Sequence, residues 1–333
     1  MMAWTDRHCR FFHRLLAPSA MLYTEMVTAN ALRYGDVPRL LNFDPAEAPV
    51  ALQLGGSDPE DLAEAARLGE RWGYHEINLN CGCPSERVQK GAFGACLMQD
   101  PELVADCVRA MREAVTIPVT VKHRIGIDRI EDYEFVSAFV AAVARAGCET
   151  FIVHARNAWL SGLSPKENRE IPPLRHDVVR RLKLDFPELR IVLNGGLSNV
   201  GEIIASVDGV DGVMIGRAAY QQPYILAELE FAFTKRTPPS REAVALKMAD
   251  YIKSYLAQEP GAQVRHVVRH MLGLFHGAPL ARSWRRVLSD TRELSGGDER
   301  IIERALAMVN RKDAVQSILP GFIRPSGSSA ALI

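Results

Sequence analysis

Short apolar runs alternate with longer amphipathic stretches along the first two thirds of the chain. Helical patterns lie between most of the runs, for example Pro59 to Trp72 and Pro101 to Ala114, and the amphipathic stretch Asp6 to Leu16 comes before the first. This alternation predicts a parallel sheet with helices outside it, either doubly wound or closed into a TIM (β/α)8-type barrel. Seven runs have the composition of buried strands: Met21 to Val27, Val50 to Leu54, Glu76 to Asn80, Val119 to His123, Phe151 to Ala155, Ile191 to Asn194 and Val213 to Gly216.

The pattern changes after Thr237-Pro238-Pro239-Ser240, where strand signals stop. We therefore expect a barrel domain over 1–236, an all-α helical-bundle domain over 237–320 and a disordered tail over 321–333. The helices expected in the second domain are Arg241 to Gln258, Gln263 to Phe275, Leu280 to Leu288 and Glu299 to Asn310.

Composition narrows the function classes only slightly. Apolar content of 47% and charged content of 24% over 333 residues are those of a globular protein. No apolar run approaches the ~20 residues that span a bilayer, and the start has no signal-peptide core, so we expect a cytoplasmic protein. The six scattered cysteines predict neither a disulfide framework nor a metal site.

The net charge is zero, but the charge is distributed unevenly along the sequence. From Lys235 onward there are 16 Lys/Arg and 9 Asp/Glu, a balance of +7, so residues 1–234 hold the remaining 24 and 31, a balance of −7. Five arginines and no acidic residue lie between Pro260 and Ser289. A basic block of this kind indicates a polyanionic partner.

The segment Glu76 to Met98, EINLNCGCPSERVQKGAFGACLM, carries the first candidate for chemistry. Cys83 follows a buried strand at the point where Gly82 and Pro84 end it, and the carboxyl ends of strands are where α/β enzymes place their active sites. A buried structural thiol is an equally good reading of this cysteine by itself.

Polar residues at the ends of other strands favour the catalytic reading. They are Gln53, Lys122, His123, His154, Arg156, Asn194 and Arg217. The turn Asn194-Gly195-Gly196 and the pair Gly216-Arg217 follow the last two strands, where barrel enzymes bind phosphate through backbone N–H groups. A phosphorylated cofactor is the expected ligand.

With these residues assembled, the chain closely resembles the tRNA-dihydrouridine synthases, subfamily A, from Met1 to about Asn310. The motifs are NLNCGCPSERVQKGAFGACLM, VTVKHRIGID, FIVHARNAWLSGLSPKENREIPPL, NGG with GVMIGRAAY, and RHMLGLFHGAPLARSWRR. The resemblance implies a flavin barrel with a helical tRNA-binding domain. It also implies FMN, with NADPH as reductant, for reduction of uridine at positions 20 and 20a in the D-loop of tRNA.

The resemblance also implies roles for single residues. Cys83 matches the proton donor, and a cysteine thiol is mostly protonated at neutral pH. The matches to flavin contacts are Gln53, Lys122 and His154, and those to ring-edge and phosphate contacts are Asn194, Gly195, Gly196, Gly216 and Arg217. Asn80, Ser164, Lys166 and Glu167 match positions near the tRNA substrate.

Arg282, Arg285 and Arg286 have the i, i+3, i+4 spacing that puts them on one helix face, where they could meet tRNA phosphates. A merely solvated basic face is the alternative interpretation of that spacing.

One departure concerns the start of the chain. The family's first barrel strand, with its Pro, precedes the segment WTDRHCR, whereas this chain opens at Met1-Met2-Ala3-Trp4. We expect roughly 8–15 further residues encoded upstream, since seven strands would leave the barrel with an open edge. Two other functions stay open: a catalytically impaired tRNA-binding protein, and a flavin enzyme that acts on a free pyrimidine.

Overall fold

A curled parallel sheet forms the centre of the molecule. The computed structural model describes residues 1–85, 88 and 91–316, with side chains as far as Val309. The strands are β1 (Leu22–Tyr23), β2 (Val27–Thr28), β3 (Val50–Gly55), β4 (Glu76–Cys81), β5 (Val119–Arg124), β6 (Thr150–His154), β7 (Arg190–Asn194) and β8 (Gly212–Met214). Their order is β1-β3-β4-β5-β6-β7-β8, and β2 pairs with β3 on the same edge as β1. The alternation of strands and helices had predicted a parallel sheet, either doubly wound or closed, and the family resemblance had implied the (β/α)8-type barrel that is confirmed here.

Helices cover the outside of the sheet and form the C-terminal region. Several begin at a side chain that accepts a backbone N–H: Asp58 before α4, Asp100 before α5 and Ser240 before α11. The helices are α1 (Arg7–Leu16), α2 (Ala29–Tyr34), α3 (Val37–Leu41), α4 (Pro59–Arg71), α5 (Pro101–Ala114), α6 (Tyr133–Arg145), α7 (His176–Asp185), α8 (Val200–Ser206), α9 (Arg217–Gln221), α10 (Ile225–Thr234), α11 (Arg241–Gln258), α12 (Val264–Val268), α13 (Ala281–Ser289), α14 (Thr291–Leu294) and α15 (Arg300–Gln316).

Two elements differ from the pattern-based prediction. The first strand is split into β1 and β2, because the Thr24 hydroxyl takes the backbone N–H of Gln53 at 3.0 Å and interrupts the ladder. The helix expected over Gln263 to Phe275 ends at Val268, and the chain continues in turns. Gly273 is pressed against the neighbouring segment, since a Cβ there would lie 2.4 Å from the carbonyl oxygen of Gln221.

Buried apolar residues form two clusters. The first fills the space between the sheet and helices α4 to α7. The second joins the C-terminal helices to α8 to α10 and to α1, which contributes Phe12 and Leu16, both fully buried. The domain boundary at residue 236 stays a prediction, and the expected tail over 321–333 lies outside the described residues. No helix in the described part of the chain is long and apolar enough to cross a bilayer.

Candidate active site

Side-chain alternation along the strands separates an apolar outer face from a polar interior. Gly69 of α4 approaches Leu52 and Ile77, because a Cβ on it would lie 2.8 Å and 2.7 Å from their terminal methyl groups. Leu52 and Ile77 therefore face the helices, and the residues next to them along β3 and β4 point to the other side of the sheet. On that side the Lys122 Nζ of β5 donates to the Asn194 Oδ1 of β7 at 3.2 Å, so the polar faces of nonadjacent strands meet inside the curl.

Cys83 is held at the mouth of this interior, two residues after the end of β4. The Oδ1 of Asn80 accepts the backbone N–H groups of Gly82 and Cys83, each at 3.0 Å. The Ala95 N–H donates to the Cys83 carbonyl at 3.0 Å, and the half-buried thiol donates to the Ser85 hydroxyl at 3.6 Å. The backbone of Cys83 is thus fixed on both sides, and the residue is only partly buried.

Four of the other five cysteines are set apart from Cys83 by burial. Cys9, Cys81, Cys107 and Cys148 are buried, and burial raises the thiol pKa of each, to about 12 for Cys107 and Cys148. Cys96 is partly exposed, but its thiol donates to the Phe93 carbonyl at 3.1 Å.

Cations are concentrated beside Cys83. Burial, together with the nearby charge of Arg124, lowers the pKa of Lys122 to about 8. Burial also lowers the pKa of Arg124 to about 10. The pKa of His154 is well below its usual range, because its ring is buried and surrounded by Arg124, Lys122, Arg156 and Arg217, so the imidazole is neutral. A buried group of like charges is costly unless an anion joins it.

The turn after β7 is packed closely against neighbouring side chains. Gly195 and Gly196 have φ angles of +109° and +72°, which favour glycine. A Cβ on Gly195 would lie 2.6 Å from the His154 ring, and one on Gly196 would lie 2.3 Å from Leu174. Asn194, which precedes them, donates to the Met214 carbonyl at 2.7 Å. Both glycines are therefore required by their φ angles and by close packing against His154 and Leu174, and the Gly195 carbonyl accepts a hydrogen bond from the His176 Nε2 at 2.8 Å.

Gly216 and Arg217 lie at the next strand end. Gly216 has an ordinary φ of −118°, and a Cβ there would meet only the Met1 sulfur, at 3.5 Å. Arg217 donates to the Glu170 carboxylate at 2.7 Å. The glycine is thus not required by the backbone, and the arginine has an acidic partner that a bound phosphate would have to share.

Comparisons with known proteins agree with this geometry. The family model described as dihydrouridine synthase (Dus) matches residues 1–310. This chain belongs to the dihydrouridine synthase family. It is 56% identical over 306 residues to a tRNA-dihydrouridine(20/20a) synthase of Xanthomonas axonopodis pv. citri, covering 92% of this chain and 91% of the relative.

Two further relatives carry the same name. The Synechocystis sp. protein is 54% identical over 308 residues, which cover 92% of each chain. The Vibrio cholerae protein is 54% identical over 312 residues, which cover 93% of this chain and 94% of the relative. The family resemblance drawn from the motifs is confirmed, and the chain is an oxidoreductase of the dihydrouridine synthase family.

Arg124 is a site residue that the motifs did not single out. Its buried guanidinium donates to the carbonyls of Gly82 at 3.1 Å, Asn157 at 3.1 Å and Asn168 at 3.0 Å. It therefore ties the Cys83 loop to the long loop between β6 and α7. The sequence feature that could have identified Arg124 is its position two residues after Lys122, which puts both side chains on the same face of β5.

His123 was expected on the polar rim, and that prediction is wrong. Strand alternation turns it away from Lys122, and it is fully buried against the rings of Phe139 and Phe151 at 5.0 Å and 5.8 Å between centroids. Arg156 does lie near the rim, and its buried Nε has no hydrogen-bond partner among the described residues. That donor belongs to the group of cations that surrounds His154.

Besides Asn80 in β4, the residues assigned to the tRNA substrate lie in two places. Ser164 and Glu167 cap each other in the β6 to α7 loop: Ser164 N donates to the Glu167 carboxylate at 2.8 Å, and Glu167 N donates to the Ser164 hydroxyl at 3.3 Å. Lys166 is exposed between them. These bonds give Ser164 and Glu167 a structural role within the loop. Contact of this loop with the substrate therefore stays a prediction.

The arginines of α13 form the second place. Arg282, Arg285 and Arg286 are exposed and make no ion pair with any described side chain. On the opposite face, Trp284 is fully buried and donates to the Met271 carbonyl at 2.9 Å. The helix is thus anchored through Trp284 and presents a basic face outward. Within the described ranges, no three His, Cys, Asp or Glu side chains are grouped as ligands of a metal ion.

Proposed function

We propose that this protein reduces uridine to 5,6-dihydrouridine at positions 20 and 20a in the D-loop of tRNA, using FMN as cofactor and NADPH as reductant. The relatives named above support the substrate and the positions. The observation that carries the proposal is the placement of Cys83 at the mouth of the barrel, with its backbone held by Asn80 and the residue only partly buried.

The rim residues fit a flavin phosphate. The unpartnered Nε of Arg156 needs an acceptor, and Gly195 and Gly196 match the family's phosphate contacts. A phosphate dianion would satisfy that donor and offset the charge of Arg217. We assign the phosphate to Gly195, Gly196, Gly216 and Arg217, and the ring to Gln53, Lys122, His154 and Asn194.

FMN, once reduced by NADPH, supplies the hydride that reaches C6 of the uracil ring. Cys83 donates the thiol proton to C5 on the opposite side. The thiolate left behind lies near Lys122, Arg124 and Arg169, since a negative charge on Cys83 raises the pKa of each of these cations. The same cations that favour an anionic cofactor therefore also stabilise the deprotonated donor.

The base must leave the folded tRNA to reach this thiol, because the sulfur lies at the end of a strand within the rim. The exposed arginines Arg282 and Arg285 supply a surface that can hold the RNA backbone through its phosphates while the base is displaced. Asn80, Ser164, Lys166 and Glu167 are assigned to the substrate side of the pocket.

The purified protein with NADPH and a tRNA transcript that lacks dihydrouridine tests the proposal. We expect a yellow protein and nucleosides two mass units heavier at positions 20 and 20a by mass spectrometry. Free uridine should stay unreduced under the same conditions. Reduction of free uridine in place of tRNA, or a protein without flavin, would contradict the proposal.

A further inference from the structure

A continuous chain of side-chain hydrogen bonds runs through the barrel interior and ends at the Cys83 backbone. It begins at Glu76, the first residue of β4, and passes through Thr120, Asn78, Gln53 and Asn80. Strand register brings these residues together, because Asn78 is paired with Gln53 of β3 on one side and with Thr120 of β5 on the other. Glu76, Asn78 and Asn80 alternate along β4 and so share one face.

The bonds are short and unbroken. From the loop inward, the Asn80 Nδ2 donates to the Gln53 Oε1 at 2.9 Å, and the Gln53 Nε2 donates to the Asn78 Oδ1 at 2.8 Å. The Asn78 Nδ2 then donates to the Thr120 hydroxyl at 2.8 Å, and that hydroxyl donates to the Glu76 Oε1 at 2.6 Å. Tyr23 donates to the same carboxylate oxygen at 2.9 Å.

The groups at the two ends of this series of hydrogen bonds determine which side-chain atoms donate and which accept. The backbone N–H groups of Gly82 and Cys83 can only donate, so Asn80 must turn its oxygen to them. At the other end, the Glu76 carboxylate accepts from both Thr120 and Tyr23. Each amide between the ends is therefore held in one of its two orientations by its neighbours.

Because these side chains are buried, a change in the orientation of their hydrogen bonds would be costly. Asn78, Thr120 and Glu76 are 0%, 2% and 8% exposed, so an unpaired group among them has no bulk water to turn to. Removal of the Thr120 hydroxyl would leave the Asn78 amide without its acceptor. Asn78, Gln53 and Asn80 could then rotate, and a rotated Asn80 would present its NH2 to the two N–H groups it now binds.

We propose that Thr120, Asn78 and Glu76 are positioning residues for Cys83, acting through Gln53 and Asn80. The inference rests on the proposed function, since it takes Cys83 as the proton donor. None of the three touches the thiol, so they act on it through the position of the Cys83 loop, and they also hold the Gln53 amide that is assigned to the flavin ring. Misplacement of a reacting group by about 1 Å costs about 10²-fold in rate.

The test compares Thr120→Val, which removes the hydroxyl at nearly constant shape, with Thr120→Ser, which keeps it. Two half-reactions are measured on the flavin-bound protein: reduction of the flavin by NADPH, and single-turnover reduction of a tRNA transcript. We expect Thr120→Val to lower the second rate by about 10–100-fold and to lower the first much less, through the Gln53 amide alone. Thr120→Ser should restore the second rate.

A double variant separates positioning from general damage. If Thr120 acts through Cys83, Thr120→Val combined with Cys83→Ala should be no slower with tRNA than Cys83→Ala alone. Multiplying effects, or an equal loss in flavin reduction, would overturn the inference. Should Thr120→Val fold poorly, Asn78→Leu breaks the chain at another link and must give the same pattern. Failure of the proposed function would appear separately, as wild-type protein that leaves tRNA unreduced.

Discussion

The barrel mouth and the outer face of α13 both carry concentrated positive charge, but they carry it in opposite ways. At the mouth, burial lowers the pKa of Lys122 to about 8 and that of Arg124 to about 10, so each charge is held at a cost. On α13, Arg282 and Arg285 are exposed and unpaired among the described side chains. Buried charges specify a particular ligand, because only an anion in that place offsets their desolvation.

Exposed charges, in contrast, lose little solvation on folding and do not select a particular ligand. Their attraction for phosphate is shared among several contacts and is screened by salt. We therefore expect changes at the mouth to alter chemistry and cofactor binding steeply, and changes on α13 to alter only the binding of a long polyanion.

The largest expected effect is at Cys83. Cys83→Ala should lower dihydrouridine formation by about 10²–10⁴-fold, since a positioned general acid is lost, while flavin and tRNA stay bound. Product measured by mass spectrometry decides this. Cys96→Ala is the matched control and should stay active, because that thiol is bonded to the Phe93 carbonyl. Wild-type yield from Cys83→Ala would remove the proton-donor assignment.

A smaller effect is expected from the charge of Lys122. The ammonium loses its proton as the pH rises through about 8, because burial and Arg124 lower its pKa. The charged form exists below that pH, so the affinity of the apoprotein for FMN should fall between pH 7 and 9.

Quenching of flavin fluorescence measures this affinity. Lys122→Met should bind FMN about tenfold more weakly at pH 7, a difference of about 1.4 kcal/mol, and its affinity should not change up to pH 9. An equally steep pH dependence in Lys122→Met would assign the titration to another group.

The smallest effect on chemistry is expected on α13. Arg282→Ala with Arg285→Ala should weaken tRNA binding and lower the salt slope of the affinity by about 2 in total. Reduction of the flavin by NADPH should be unaffected. The matched control is Arg67→Ala with Arg71→Ala on α4, where both arginines pair with Glu64 at 3.1 Å and 2.9 Å. If the salt dependence of tRNA affinity is the same in the α13 variant as in the wild type, these arginines are solvated and do not bind tRNA.

Much of the fold could be predicted from local pattern. The bounds of α5 and α11 agree with those expected, since a capping side chain, a proline or acidic residue in the first turn and helical periodicity all act within a few residues. Strands β3 to β8 were also located, because buried parallel strands appear as short apolar runs. The split between β1 and β2 was missed, since it depends on a bond from Thr24 to a strand distant in sequence.

The sequence by itself determined the family, the strand ends and the types of residue placed there, because motifs and strand punctuation are local. Only the tertiary structure decided which way those residues point. It turned His123 into the core beside Phe139 and turned Arg124 onto the Cys83 loop, although the two are adjacent in the chain. It also joined Glu76, Thr120 and Asn78 to Asn80, since register across three strands depends on packing of the whole sheet.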